Sequence, residues 1–283
     1  MRRLSGFSLG LKLFTISSFF CFFFSSCTVQ QELAMNFKKN ADSISYLIIK
    51  PTVLQKSSLT VQRLYPQFPQ LSSDLQDTVW KHQTKLLDVV SDTILINLYY
   101  NELILRLKKS GAKIYAETEI DDFNKASGIK EVFRVGQMQL EEDKQKVDFS
   151  EEISGQEELY KDIEIEVLAV NTWFEWFKNQ KDSVPSKVLY AEKKVSDEVN
   201  GRFFSTGESN NYEFRYKRLD ITANDVLKLV RSTADQNAQQ LIDFIFTRFV
   251  LRSYPESEQY FGFDIDRKMF YLPADDIQLK EIK

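Results

Sequence analysis

Carboxylates are the only reactive side chains this sequence supplies in quantity: 41 Asp and Glu residues stand against a single histidine, His82. Two acidic runs follow expected strands, Glu117, Glu119, Asp121 and Asp122 after one, and Glu141, Glu142 and Asp143 after another. Strand ends of α/β sheets are where sites gather. Two carboxyl groups at a suitable separation, one with a raised pKa, suffice to hydrolyse a glycosidic bond. Spacing along the chain does not set that separation, and acidic runs more often form solvated faces. A carboxylate-dependent glycan hydrolase is therefore the alternative to a non-catalytic role, and no catalytic residue is assigned.

Trp173, Phe174, Trp176 and Phe177 form the densest aromatic run. Strand alternation puts Phe174 with Trp176 on one face and Trp173 with Phe177 on the other. An exposed pair would stack on sugar rings or anchor a partner protein, whereas large aromatics mostly pack in cores. These four are the candidate binding residues. Ser110 with Lys113, and Ser127 with Lys130, have the Ser-x-x-Lys spacing of penicillin-recognising serine enzymes. Those enzymes set the serine at a helix N-terminus, and here each serine precedes a glycine and ends a helix. Gly111, Gly128, Gly136, Gly155, Gly201, Gly207 and Gly262 lack the close spacing of a phosphate loop, so nucleotide is not expected. Asp264 and Asp266 lack the ladder of oxygen ligands of a calcium loop and read as turn residues. His82, beside Trp80, reads as a surface or capping residue. Cys21 and Cys27 are the only cysteines, so the usual zinc sets are missing, and neither metal nor cofactor is expected. A net charge of −4 without a basic run weighs against nucleic acid, and against anionic lipid, as a partner.

The N-terminus is more specific. Arg2 and Arg3, with Lys12, precede an apolar stretch from Leu13 to Phe24 that ends in Phe24-Ser25-Ser26-Cys27. This is the anatomy of a cleavable export signal. The stretch is shorter than the ~20 apolar residues of a spanning helix, and Thr15, Ser17 and Ser18 interrupt it. Its ending resembles the lipobox of bacterial lipoproteins, in which a bulky apolar residue and two small ones precede a cysteine that is acylated and becomes the new N-terminus. Phe24 stands where leucine is commoner, and with the phenylalanines from Phe19 to Phe23 it resembles Bacteroidota usage. The resemblance covers the first 27 residues and implies cleavage between Ser26 and Cys27, with lipid on Cys27. A simple secretory signal cut near Ser26 would leave Cys27 as a free thiol. Each buried methylene contributes ~0.8 kcal/mol, so two or three acyl chains hold a protein without a spanning segment. Thr28 to Glu32 lacks the aspartate directly after the cysteine that marks inner-membrane retention in enterobacterial lipoproteins. The resemblance thus implies an outer-membrane anchor with the body in the periplasm.

After a lipidated tether over 27–42, the elements that must position any site begin near Ser43. Ile44 to Ile49 reads as a buried strand stopped by Lys50-Pro51, and a loop with Pro51, Pro66 and Pro69 follows. Helical periodicity runs from about Leu75 to Lys109, with Ser91 or Asp92 as an internal break and Ser110-Gly111 as its end. Lys113 to Ala116 is a strand, and strand, helices, strand suggests a parallel crossover. Ile120 to Ala126 is helical, Ser127-Gly128 stops it, and Val132 to Leu140 is extended. From Tyr160 to Phe177, Ile163, Ile165 and Val167 alternate with acids, as on a half-wet strand. Lys187 to Val195, Gly201 to Ser205 and Tyr212 to Leu219 continue an antiparallel meander, turning at Gly207 to Asn211. Thr222 caps a helix from Ala223 whose later half, through Phe244, Phe246 and Phe249, is apolar nearly all round and central to the core. Phe261 to Leu272 is a last hairpin turning near Asp266.

The expectation is an α+β fold: a mixed or antiparallel sheet with an N-terminal strand-helix-strand unit, a central β-meander and a long buried helix near the C-terminus. Residues 1–26 form the signal and 43–283 one composite domain, with a possible subdivision near 155. The expected role is that of a lipid-anchored, non-catalytic binding or assembly component of the envelope, its partners the membrane through the lipid and another envelope protein or a glycan.

Overall fold

The computed structural model describes residues 32–33, 35–37, 39, 43–153, 157–207, 211–256, 259–264, 266–267, 269–274 and 278–282. The export signal, Ser26, Cys27 and the point near 155 lie outside these residues. Strands β1 (Ile44–Ile49) and β2 (Leu54–Ser58) precede helices α1 (Leu59–Leu64), α2 (Ser73–Gln83) and α3 (Asp92–Lys108). Strand β3 (Lys113–Ala116) and helix α4 (Ile120–Lys125) lead into the long strands β4 (Ile129–Ile153) and β5 (Glu157–Phe177). Then come β6 (Lys187–Ser196), β7 (Glu198–Ser205), β8 (Tyr212–Leu219), helix α5 (Ala223–Ser253), and strands β9 (Gly262–Asp264), β10 (Met269–Tyr271) and β11 (Lys280–Ile282). The fold is α+β.

A seven-stranded mixed sheet has the order β11-β6-β5-β4-β1-β3, with β2 also on β4. β1 runs parallel to both β3 and β4. An unbroken apolar strand belongs in such an interior position, where both faces are covered. Ser91 caps α3 by accepting from the Ile94 amide, and Gly111, at φ 83°, turns the chain out of that helix. On one sheet face, Tyr46, Ile48, Phe133, Met138, Leu168, Val170, Phe174 and Leu189 pack under α3 and α5. A polar pin crosses this core: the Asn237 amide donates to Tyr99 Oη and Thr172 Oγ1, both at 2.8 Å. On the other face, Phe123 of α4 covers Leu47, Val132 and Phe177.

Several features depart from the sequence reading. The proline-bearing loop contains β2, which pairs parallel with β4 from Leu54 opposite Met138 to Ser58 opposite Glu142. Its sequence LQKSS has no apolar alternation to mark it. The meander stops at β6, because β7 and β8 form a separate two-stranded sheet. Phe214 and Val199 of that hairpin lie on Ile163, Ile165 and Val167 of β5. The buried Asp197 carboxylate fixes this corner by accepting from the Glu166 and Ile221 amides at 2.9 and 2.8 Å, with Arg218 beside it. Residues 208–210 of the expected turn lie outside the described residues. Glu141, Glu142 and Asp143 sit inside β4 and do not follow it. The expected C-terminal hairpin forms as β9 and β10, and β11 adds an edge beside β6. The core reaches back before Ser43: Phe37 makes ring contacts at 5.1 to 5.3 Å with Phe246, Phe249 and Phe263.

Candidate functional site

The carboxylates flagged in the sequence are held by the fold. Glu142 is 1% exposed and accepts from the backbone amides of Lys85 and Leu86 at 2.7 and 2.9 Å. Asp143 takes Thr60 Oγ1, Arg63 and the Lys144 amide. Glu141 accepts from Ser57 Oγ at 3.2 Å. Glu119 pairs with Lys108 at 2.8 Å and receives the Ala116 amide at 2.7 Å, and the lysine first of all holds its pKa below the usual range. Glu117 accepts from the Lys50 amide, while Asp121 and Asp122 are exposed. Ser110, at the end of α3, accepts from the Ala112 amide, and Lys130 donates to the Asn124 carbonyl. His82 lies exposed in the last turn of α2. Asp264 accepts from the Asp266 and Arg267 amides, as a turn residue does. Among the described residues, no group of three or more His, Cys, Asp or Glu side chains is arranged to hold a metal ion.

The aromatic run divides across β5 as alternation requires. Phe174 (0% exposed) and Trp176 (5%) face α5, and Phe177 joins the small core under α4. Trp173 is partly exposed, with its ring 5.1 Å from that of Tyr190. Phe174 and Phe177 have no surface left for a ligand. Trp176 does, because one side of it lines a cavity.

At that cavity stands a cluster the sequence reading did not pick out. Glu131, on β4 opposite Tyr46 of β1, is 2% exposed. Its carboxylate accepts from Trp176 Nε1 at 2.9 Å, Arg248 Nη1 at 3.3 Å and Arg252 Nη2 at 3.5 Å. The two arginines come from one face of α5, a helical turn apart, so both lean over the same patch of sheet. The Arg248 guanidinium also lies 3.6 Å from the Trp176 ring centre. A desolvated cation over an indole face contributes about 2 kcal/mol. Burial pulls the Arg248 pKa down, and Glu131 opposes that shift. Tyr46 is pushed far up, by burial first and by the Glu131 charge second, and so remains a neutral phenol.

Two cavities meet at these arginines. One of about 240 Å³ is lined by Phe37, Ile44, Tyr46, Glu131, Arg248 and Arg252. The other, about 670 Å³, has Leu189, Phe244, Leu251 and Leu279 among its apolar lining, with Lys178 and Lys187 also on its wall. The larger volume is in the range of small-molecule sites, which are mostly apolar with a few convergent polar groups. Lys187 is paired with Glu281. The exposed Lys178 ammonium has no ion-pair partner among the described residues. Among the described residues, the two cavities together are lined by four cations and two carboxylates, Glu131 and Glu281, in a chain whose net charge is −4. The arrangement suits holding an anion that carries an apolar body. One trace of it was legible: Arg248 stands between the apolar triplets Phe244–Phe246 and Phe249–Leu251, and a charge so placed implies a buried partner.

No family model and no curated protein matches the chain. Among solved structures, a crystal structure described as a neuraminyllactose-binding hemagglutinin homologue from Helicobacter pylori is 12% identical and covers 76% of this chain and 92% of its own, at a TM-score of 0.28. So distant a likeness carries no weight for fold or ligand.

Proposed function

We propose that this chain is an outer-membrane lipoprotein, anchored by acyl chains on Cys27 with its body in the periplasm, and that it acts as a non-catalytic binding component whose ligand enters the cleft at Arg248 and Arg252. The observation that carries the binding role is the buried carboxylate Glu131, which is bonded by two arginines and Trp176 at the junction of two cavities. Buried charge in a cleft is a recurrent mark of a functional site. A hydrolase would need two carboxyl groups facing one cavity on either side of a sugar bond. The buried members of the two acidic runs, Glu142 and Asp143, are instead saturated by amides and side chains of the fold. Anchoring rests on the lipobox residues Phe24 to Cys27. It is compatible with the described residues, where no helix is long and apolar enough to cross a membrane.

Labelled palmitate fed to cells tests the anchor: the label should enter the wild-type protein and be lost with Cys27→Ala. Equal labelling of the variant would contradict it. Purified protein incubated with envelope and dietary glycans tests the non-catalytic role. No cleavage is expected, and cleavage abolished by neutralising Glu117, Glu119, Glu141 or Glu142 would replace the binding reading with hydrolysis.

A further inference from the structure

We infer that the Arg248–Arg252 cleft takes an anionic amphiphile, a single phosphate or carboxylate on an apolar chain, at the surface of the membrane that carries the protein. The inference deepens the binding role and rests on the Cys27 anchor for its membrane source. Two observations support it. The first is chemical complementarity within the larger cavity. Arg252, with 43% of its side chain exposed, and Lys178, which has no ion-pair partner among the described residues, stand on the wall of a space that Leu189, Phe244, Leu251 and Leu279 also line, three of these being largely buried side chains that edge the core. A sugar would present hydroxyls to this apolar wall and leave them without partners. An alkyl chain is accommodated there without that cost, and its charged head gains bonds from guanidinium and ammonium donors.

The second observation is position. Phe37 lines the smaller cavity beside Arg252, and Cys27 precedes it by ten residues. A fully extended chain of that length spans at most ~35 Å. The cleft is therefore held within about one bilayer thickness of the acyl chains. The chain-wide negative charge weighs against broad electrostatic attachment to an anionic surface. It does not govern the two adjoining cavities, where the described lining residues carry a local excess of two positive charges, because charges beyond a Debye length of about 8 Å are largely screened.

The test is a titration of the full-length acylated protein in phosphatidylcholine nanodiscs, read by tryptophan emission because Trp176 forms one wall of the cleft. Octyl phosphate is expected to bind saturably, and neither octyltrimethylammonium nor inorganic phosphate should match it. Arg252→Glu and Lys178→Glu should each weaken octyl phosphate by about tenfold, the worth of one charge-assisted contact. Lys161→Glu makes the same charge change at an exposed site on β5 and should leave binding unaltered. Lys178 is also exposed, so its variant retains the fold even if a change at Arg252 does not. Equal binding of octyl phosphate and octyltrimethylammonium, a match by inorganic phosphate, or equal effects of Lys161→Glu and Lys178→Glu would overturn the inference. Adding phosphatidylglycerol to the discs separates the two sources of one chemistry. Competition with octyl phosphate supports a bilayer headgroup as occupant, and undiminished binding supports a diffusible amphiphile. Acylation is scored separately by palmitate incorporation, and the titration is repeated on the Cys27→Ala chain in buffer. Failure of the anchor and failure of the cleft are thereby distinguishable.

Discussion

Glu131 and Glu142 lie on one strand, β4, and are almost equally buried, at 2% and 1% exposure, yet they are held in different ways. Glu142 is bonded by two backbone amides, so its partners cannot leave without unfolding the segment after α2. Glu131 is bonded by the side chains of Trp176, Arg248 and Arg252, all of which line open cavities. The contrast teaches that burial of a charge does not by itself distinguish a joint from a site. What distinguishes them is whether the partners have rotational freedom and a space into which a ligand can bring a competing charge.

The contrast makes graded predictions. Glu142→Ala leaves the Lys85 and Leu86 amides unpaired and should cost roughly 2–5 kcal/mol in urea unfolding, with no change in octyl phosphate affinity once folded. A loss under ~1 kcal/mol would show that water takes the place of the carboxylate.

Asp243 of α5 is an intermediate case. It accepts from the Phe263 amide at 2.9 Å, from Tyr271 Oη at 2.9 Å and from the Gln239 side chain at 2.8 Å, and burial raises its pKa from 3.8 to about 6. Asp264 nearby adds to the rise. The native state thus holds this proton to higher pH than the unfolded chain. Stability from the group is full below the unfolded pKa and is lost as pH rises through about 6. Relative to Asp243→Asn, the wild type should lose about 2–3 kcal/mol of unfolding free energy between roughly pH 4 and pH 7. Parallel pH profiles of the two proteins would refute the assignment.

Glu131→Gln keeps an acceptor for Trp176 and removes the counter-charge of two arginines. Breaking a fully buried pair costs about 3–5 kcal/mol. Here Arg252 is 43% exposed on its side chain and the cavities admit water, so a loss of about 1–2 kcal/mol is expected. Octyl phosphate should bind the variant more tightly. Weaker binding would mean that Glu131 orients the arginines more than it competes with the ligand. Smallest of all, Trp176→Phe keeps a ring under Arg248 and removes one hydrogen bond, for about 1 kcal/mol in thermal or urea unfolding.

Much of the fold was legible because its signals are local. Ser91 and Thr222 mark helix starts, Gly111 turns the chain out of α3 at φ 83°, Gly128 at φ 95° turns it into β4 after α4 has ended at Ala126, and the Ile163 to Val167 alternation marks the half-wet strand. β2 and β11 were not legible, since LQKSS and KEI owe their extended form to the strands beside them. The end of the meander at Asp197 depends on amides and a guanidinium contributed from β5, β8 and the segment before α5. The aromatic run drew attention to Trp176 for its ring, and its role turned on the indole N–H as well. The rest of the site joins Glu131 to arginines 117 and 121 residues away. No spacing rule reaches so far, and for this site the sequence hint was the charge of Arg248 between apolar neighbours in a buried helix.

The central claim, a binding cleft at Arg248 and Arg252 on a membrane-anchored body, is tested most directly by native mass spectrometry of the protein released gently from its own envelope. The wild type should carry one anionic small molecule per chain, and the double charge reversal Lys178→Glu with Arg252→Glu should carry none. An empty wild-type protein, or the same adduct on both, would contradict the account.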